Sequence, residues 1–132
     1  MSKKPVVLVV EDEILIRMVA IQTLEDAGFR TIEAGSADAA MKILQLRGDI
    51  RVVFTDINMP GTFDGMRLAR LIRSRWPPIH LIVTSGRMLP SAEDLAAIGK
   101  FIPKPYSLDH VIATIRELLG DNPSPGPALK AG

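Results

Sequence analysis

The chain is predicted to be an α/β protein, a three-layer sandwich in which helices cover both faces of a five-stranded parallel sheet of order 2-1-3-4-5. Three observations carry this expectation. Short apolar runs alternate with helical patterns five times along the chain. The first run, Val6-Val7-Leu8-Val9-Val10, is apolar without interruption, the pattern of a strand covered on both faces. Polar residues also recur where such runs stop, at Glu11 and Asp12, Asp56, Thr84 and Lys104. Right-handed crossovers prune the topologies, and this order sets strands one and three side by side in mid-sheet.

Each element has its own signal. After the first strand, apolar Ile14, Met18, Ile21 and Leu24 recur at helical spacing over 14–27, and Gly28 stops that helix. Residues 30–34 make a short second strand. Ser36 caps a helix running to about Leu46, with Ala40, Ile43 and Leu44 on its apolar face. Residues 51–55 form the third strand, and a loop over 56–64 leads into a helix over 65–75 that Trp76, Pro77 and Pro78 end. The fourth strand covers 79–84. The stretch 85–99 contains Gly86 and Pro90, so its helix, near 92–98, is expected to be short or irregular. Residues 100–102 are the fifth strand, and Ser107 caps a last helix that turns Leu108, Val111, Ile112 and Ile115 to the sheet. A domain over 1–120 and a flexible Pro/Gly-rich tail over 121–132 follow from this reading.

The 132 residues suit one domain with a two-sided core, and 47% apolar with 23% charged residues is a soluble globular composition. Without cysteine there is neither disulfide nor thiolate metal site, and a cytoplasmic location is expected. Val6-Val10 is too short to span a bilayer, and Glu11, Asp12 and Glu13 follow at once, so neither membrane insertion nor a targeting segment is expected. A net charge of +1 supplies no strong field for nucleic acid. Arg67, Arg70, Arg73 and Arg75 read as a solvated helix face. Trp76 reads as the cover of a helix end, and His80 and His110 as structural or surface residues rather than a metal pair.

A parallel sheet gathers the C-terminal ends of its strands along one edge, so the polar residues at those ends can share a pocket. Clustered carboxylates repel and resist desolvation, which suggests a hard cation such as Mg2+; a lysine and a hydroxyl beside them suggest a phosphoryl group. Asp56 ends a buried strand, where a carboxylate is costly unless paired or metal-bound, and it reads as a nucleophile toward phosphorus. Thr84 offers a hydroxyl at the same edge, although a β-branched residue also suits a strand for its own sake. Lys104 stands between Pro103 and Pro105, which fix its backbone. Glu13 suits the positive end of the helix that follows it.

Taken in order, Glu11-Asp12, Asp56 with Met59-Pro60 and Asp64-Gly65, Thr84-Ser85 and Lys104-Pro105 closely resemble the receiver domain of two-component response regulators, over residues 5–120. The resemblance implies a flavodoxin-like fold of the receiver type, of the stand-alone, single-domain kind. It implies that Asp56 accepts a phosphoryl group from a histidine kinase or a histidine phosphotransfer protein. Mg2+ would be held by Glu11, Asp12, Asp56 and the backbone carbonyl of Asn58, and phosphoryl oxygens by Thr84 and Lys104. Phe101, three residues before Lys104, matches the aromatic switch, and a downstream protein is the possible target of a monomer or weak dimer. Two departures stand out. The loop 60–65 looks one residue longer than the common pattern, and the stretch from Thr84 to Lys104 looks short, as in a group of stand-alone receivers with poorly formed fourth helices. Residues 85–99, with Gly86 and Pro90 and few helix signals, are expected to be the most mobile part before activation. Two other functions stay open: a degenerate receiver that binds partners without phosphorylation, and an aspartyl-nucleophile phosphatase. Asn58, two residues after Asp56, argues against the latter because an amide cannot relay the proton.

Overall fold

The computed structural model describes residues 4–57, 65–86, 91, 93–94 and 98–120. Five strands, β1 (Val6–Val10), β2 (Arg30–Ala34), β3 (Ile50–Asp56), β4 (His80–Ser85) and β5 (Lys100–Pro103), form one parallel sheet of order β2-β1-β3-β4-β5. Among the described residues, four full helices pack on it: α1 (Ile14–Asp26), α2 (Ala37–Leu46), α3 (Gly65–Arg75) and α4 (Leu108–Leu118). The flavodoxin-like order expected from the sequence is the order observed. Of the irregular helix expected near 92–98, Glu93, Asp94 and Ile98 are helical, and the remainder lies outside the described residues. So do Asn58, Met59, Pro60, Asp64, Pro90 and the tail 121–132.

The period-2 alternation of the strands builds two core layers. Val6, Leu8 and Val10 of β1 face the layer closed by Ala40 and Leu44 of α2 and Leu68, Ala69 and Ile72 of α3. Val7 and Val9 face the opposite layer, closed by Leu24 of α1 and Val111, Ile112 and Ile115 of α4. Every β1 side chain is at most 3% exposed. At about 1.5–3 kcal/mol for each large apolar side chain removed from water, this strand anchors the domain. Ser36 and Ser107 cap α2 and α4 as expected, accepting from the N–H groups of Ala39 and His110 at 3.1 Å each. Strand limits differ from the expectation by a residue: β3 runs from Ile50 and includes Asp56, β4 from His80 to Ser85, and β5 reaches Pro103.

Helix α1 departs from expectation more sharply. Its sheet-facing stripe is not Ile14, Met18, Ile21 and Leu24. Ile14 and Met18 are 62% and 57% exposed, whereas Ala20 and Leu24 are buried. The inward stripe is Arg17, Ala20, Ile21 and Leu24, the i, i+3, i+4, i+7 set, which shares Ile21 and Leu24 with the apolar residues noted at helical spacing. A charged residue on the inner face hides the stripe from any reading based on apolar spacing.

Candidate functional site

The topology brings four strand ends together. Val10 pairs with Thr55, so Glu11 lies beside Asp56, and Asp56 is in direct register with Thr84. The chain continues this order past the sheet, with the Ile57 N–H donating to the Thr84 carbonyl at 2.9 Å and the Lys104 N–H to the Ser85 carbonyl at 3.0 Å. Gly65 opens α3 against the same strand end. A Cβ there would lie 2.0 Å from the Asp56 carbonyl oxygen, so only glycine lets the helix approach this closely.

Asp56 is 4% exposed, and Lys104 Nζ donates to its Oδ2 at 2.6 Å. The ion pair answers the cost of a carboxylate at the end of a central strand. Burial acts to lower the Lys104 pKa, but the hydrogen bond and charge of Asp56, with the charge of Glu11, outweigh it and hold the ammonium above its ordinary value. Glu11 is 6% exposed. Burial raises its carboxyl above the ordinary 4.5; the Glu13 N–H, donating to Oε2 at 3.1 Å, pulls it back, and the Asp56 charge raises it further. Asp12 is half-buried beside it. Thr84 is 2% exposed, and its Oγ1 has no hydrogen-bond partner among the described residues. A buried hydroxyl without a partner costs about 1–3 kcal/mol, so this pocket holds a polar atom that a ligand oxygen could satisfy.

The structure therefore brings together Glu11, Asp56, Thr84 and Lys104, with Asp12 at the rim. Among the described residues no three His, Cys, Asp or Glu side chains are gathered as a ready set of metal ligands. Phe101 stands apart from the acids. It is half-buried on β5, opposite Val83 and next to the Thr84 partner Ile102, and packs on the α2–α3 core layer.

Two residues of the site escaped sequence reasoning. Tyr106 lines the pocket with Glu11, Asp56 and Thr84 and meets Phe54 edge-on, ring centroids 5.7 Å apart. Burial raises its hydroxyl pKa, against the pull of the Lys104 charge. Its signal was being the sole tyrosine, two residues past Lys104. Arg17 donates through Nη1 to the Glu11 carbonyl at 2.7 Å; its signal was being the only charge in the apolar first half of α1. Outside the pocket mouth, Leu15, Ile16 and Val19 of α1 form an apolar groove with Tyr106 and Leu108. Ile16, Ala20 and Tyr106 line both pocket and groove.

Known proteins share this pattern. Residues 7–116 match the response regulator receiver domain family. The chain is 37% identical over 123 residues to the sensor kinase CckA of Brucella abortus, covering 90% of this chain and 13% of that protein. It is also 37% identical over 122 residues to the hydrogenase transcriptional regulatory protein HoxA of Cupriavidus necator, covering 88% of this chain and 24% of that one. It thus spans under a quarter of the length of either relative. Among solved structures, a response regulator receiver protein from Pseudomonas putida superposes with a TM-score of 0.77 at 28% identity, over 92% of this chain and all of that one. NtrX from Brucella abortus superposes with a TM-score of 0.80 at 29% identity, over 90% of this chain and 28% of that chain. The chain belongs to the response regulator receiver domain family, domains that accept a phosphoryl group in histidine-to-aspartate phosphorelays.

Proposed function

We propose that Asp56 is the phosphoacceptor and that this domain works as a cytoplasmic phosphorylation switch or phosphate relay. One observation carries the reading: a buried carboxylate held by Lys104 at 2.6 Å, in strand register with a buried threonine hydroxyl that lacks a partner among the described residues. The donor is a phosphohistidine on a sensor kinase or a histidine phosphotransfer protein. A carboxylate oxygen of Asp56 attacks phosphorus, the P–N bond breaks, and its electron pair returns to the imidazole ring. Lys104 moves its hydrogen bonding to the transferred oxygens, and Thr84 donates its hydroxyl to one of them.

The residues fit Mg2+ by their chemistry. Glu11, Asp12 and Asp56 are hard oxygen donors, and burial, with the Asp56 charge as a smaller cause, lifts the Glu11 carboxyl in a way that a divalent cation would relieve. Glu11, Asp12, Asp56 and the Asn58 carbonyl would hold it. When bound, the cation offsets the charge gathered on the phosphoryl oxygens. Recruitment of the Thr84 hydroxyl then draws space open behind it for Phe101, which makes the surface around Phe101 the face read by a downstream protein. The donor has a second surface available. Ile14, Leu15, Met18 and Val19 are 62%, 76%, 57% and 58% exposed on one helix at the pocket mouth, and patches of this kind mark protein contacts.

Phosphoramidate, a small P–N donor, tests the reading with Mg2+ and intact-mass detection. The wild-type protein gains one phosphoryl group and Asp56→Asn gains none, because an amide is nearly isosteric but far less nucleophilic. Equal incorporation in both proteins would sink the assignment.

A further inference from the structure

We propose that Arg17 is the positioning residue for the acidic turn after β1, an inference that rests on the reading of Glu11 and Asp12 as cation ligands. Arg17 takes a core-facing place on α1, and its side chain is only 16% exposed. From there it makes two directed contacts. Nη1 donates to the Glu11 backbone carbonyl at 2.7 Å, and Nε donates to Glu33 Oε1 on β2 at 2.9 Å. The Glu11 N–H meanwhile donates to the Ala34 carbonyl at 3.0 Å. The backbone of Glu11 is thus gripped through its N–H by β2 and through its carbonyl by α1, and the Glu13 N–H fixes the carboxylate itself at 3.1 Å.

Only a guanidinium fits this role. Its planar fork sends two donors to acceptors on different elements, which the single ammonium of lysine cannot do with the same geometry. The neighbouring chain leaves room for it: a Cβ at Gly35 would lie 3.1 Å from Arg17 Nη1, so a side chain there crowds the fork. The consequence concerns the cation. Mg2+ demands nearly ideal octahedral geometry, so its binding depends on where the turn holds the carboxylates. Residues that orient ligands without touching the ion commonly govern its affinity by about tenfold or more.

Mg2+ titration of the full chain, followed by amide shifts at Glu11, Asp12 and Glu13, tests this without any phosphoryl chemistry. Arg17→Ala weakens Mg2+ binding about tenfold, and Arg17→Lys, which keeps one contact, falls between it and the wild type. Gly35→Ala keeps the guanidinium but displaces it, and weakens binding by about twofold or more; this variant serves if Arg17→Ala fails to fold. A merely stabilising Arg17 would lower the melting temperature and leave Mg2+ affinity at the wild-type value, and that result overturns the inference alone. A wild-type protein whose acidic turn does not respond to Mg2+ overturns the cation reading and this inference with it.

Discussion

Thr84 carries a burden in the unmodified protein that its proposed role explains. Its hydroxyl is buried and unsatisfied among the described residues, a cost that the proposed function assigns to a contact made only after phosphoryl transfer. Thr84→Val replaces the hydroxyl with a methyl of the same shape. Thermal unfolding of the unmodified protein should show this variant more stable by about 1 kcal/mol, while the amide shifts induced by beryllofluoride and Mg2+ near Phe101 shrink. A variant less stable than wild type, with those shifts intact, would remove Thr84 from the switch. His80 sets a second expectation. Burial, then the charges of Arg51 and Arg73, depress its pKa below the ordinary 6.5. The unfolded chain therefore takes up this proton first as the pH falls. The stability associated with neutral His80 is present above pH 6.5 and lost as pH drops through the lower folded-state value. His80→Asn should flatten that part of the stability–pH curve, and an unchanged slope would contradict the assignment. Single residues were read unevenly from the sequence. Asp56, Thr84 and Lys104 announce themselves because they interrupt apolar runs at strand ends, whereas Arg17 and Tyr106 act through contacts between elements that no local pattern reveals.

At the scale of elements, the strands were legible to within a residue, since apolar runs bounded by polar ends have few alternative readings. Helix α1 was not. Ile14, Leu15, Ile16, Met18, Val19, Ala20 and Ile21 put apolar side chains on nearly every face, and the stripe that faces the sheet holds Arg17 and the small Ala20. Periodicity alone cannot choose among such faces. The face left outside lies at the pocket mouth and continues into the groove with Tyr106 and Leu108, and on the proposed reading it is where the phosphodonor docks. Leu15→Glu, at a position 76% exposed, should leave the melting temperature nearly unchanged, because surface substitutions usually shift stability by no more than about 0.5 kcal/mol. Phosphotransfer from a phosphorylated histidine protein should slow at least about tenfold, while uptake from phosphoramidate stays at the wild-type rate, since a central apolar anchor is commonly worth about 2 kcal/mol. Equal slowing with both donors would place the defect in the pocket and take the α1 face out of docking.

The whole molecule is an instrument for convergence. Residues separated by as many as 93 positions, from Glu11 to Lys104, become neighbours only because the order β2-β1-β3-β4-β5 aligns the ends of β1, β3, β4 and β5. The order was foreseeable from five alternating units and the handedness of crossovers. The pairing of Lys104 with Asp56, and the burial of Glu11 against both, required the folded chain. The central claim is that this convergence makes Asp56, and not its acidic neighbours, the group that accepts phosphorus. Borohydride reduces an aspartyl phosphate to homoserine, which peptide mass mapping then locates. After phosphorylation in Mg2+ and reduction, the account predicts homoserine at position 56 and intact carboxylates at Glu11 and Asp12. A reduced side chain at Glu11 or Asp12, or a phosphoryl group that survives reduction on a serine or threonine, would contradict it.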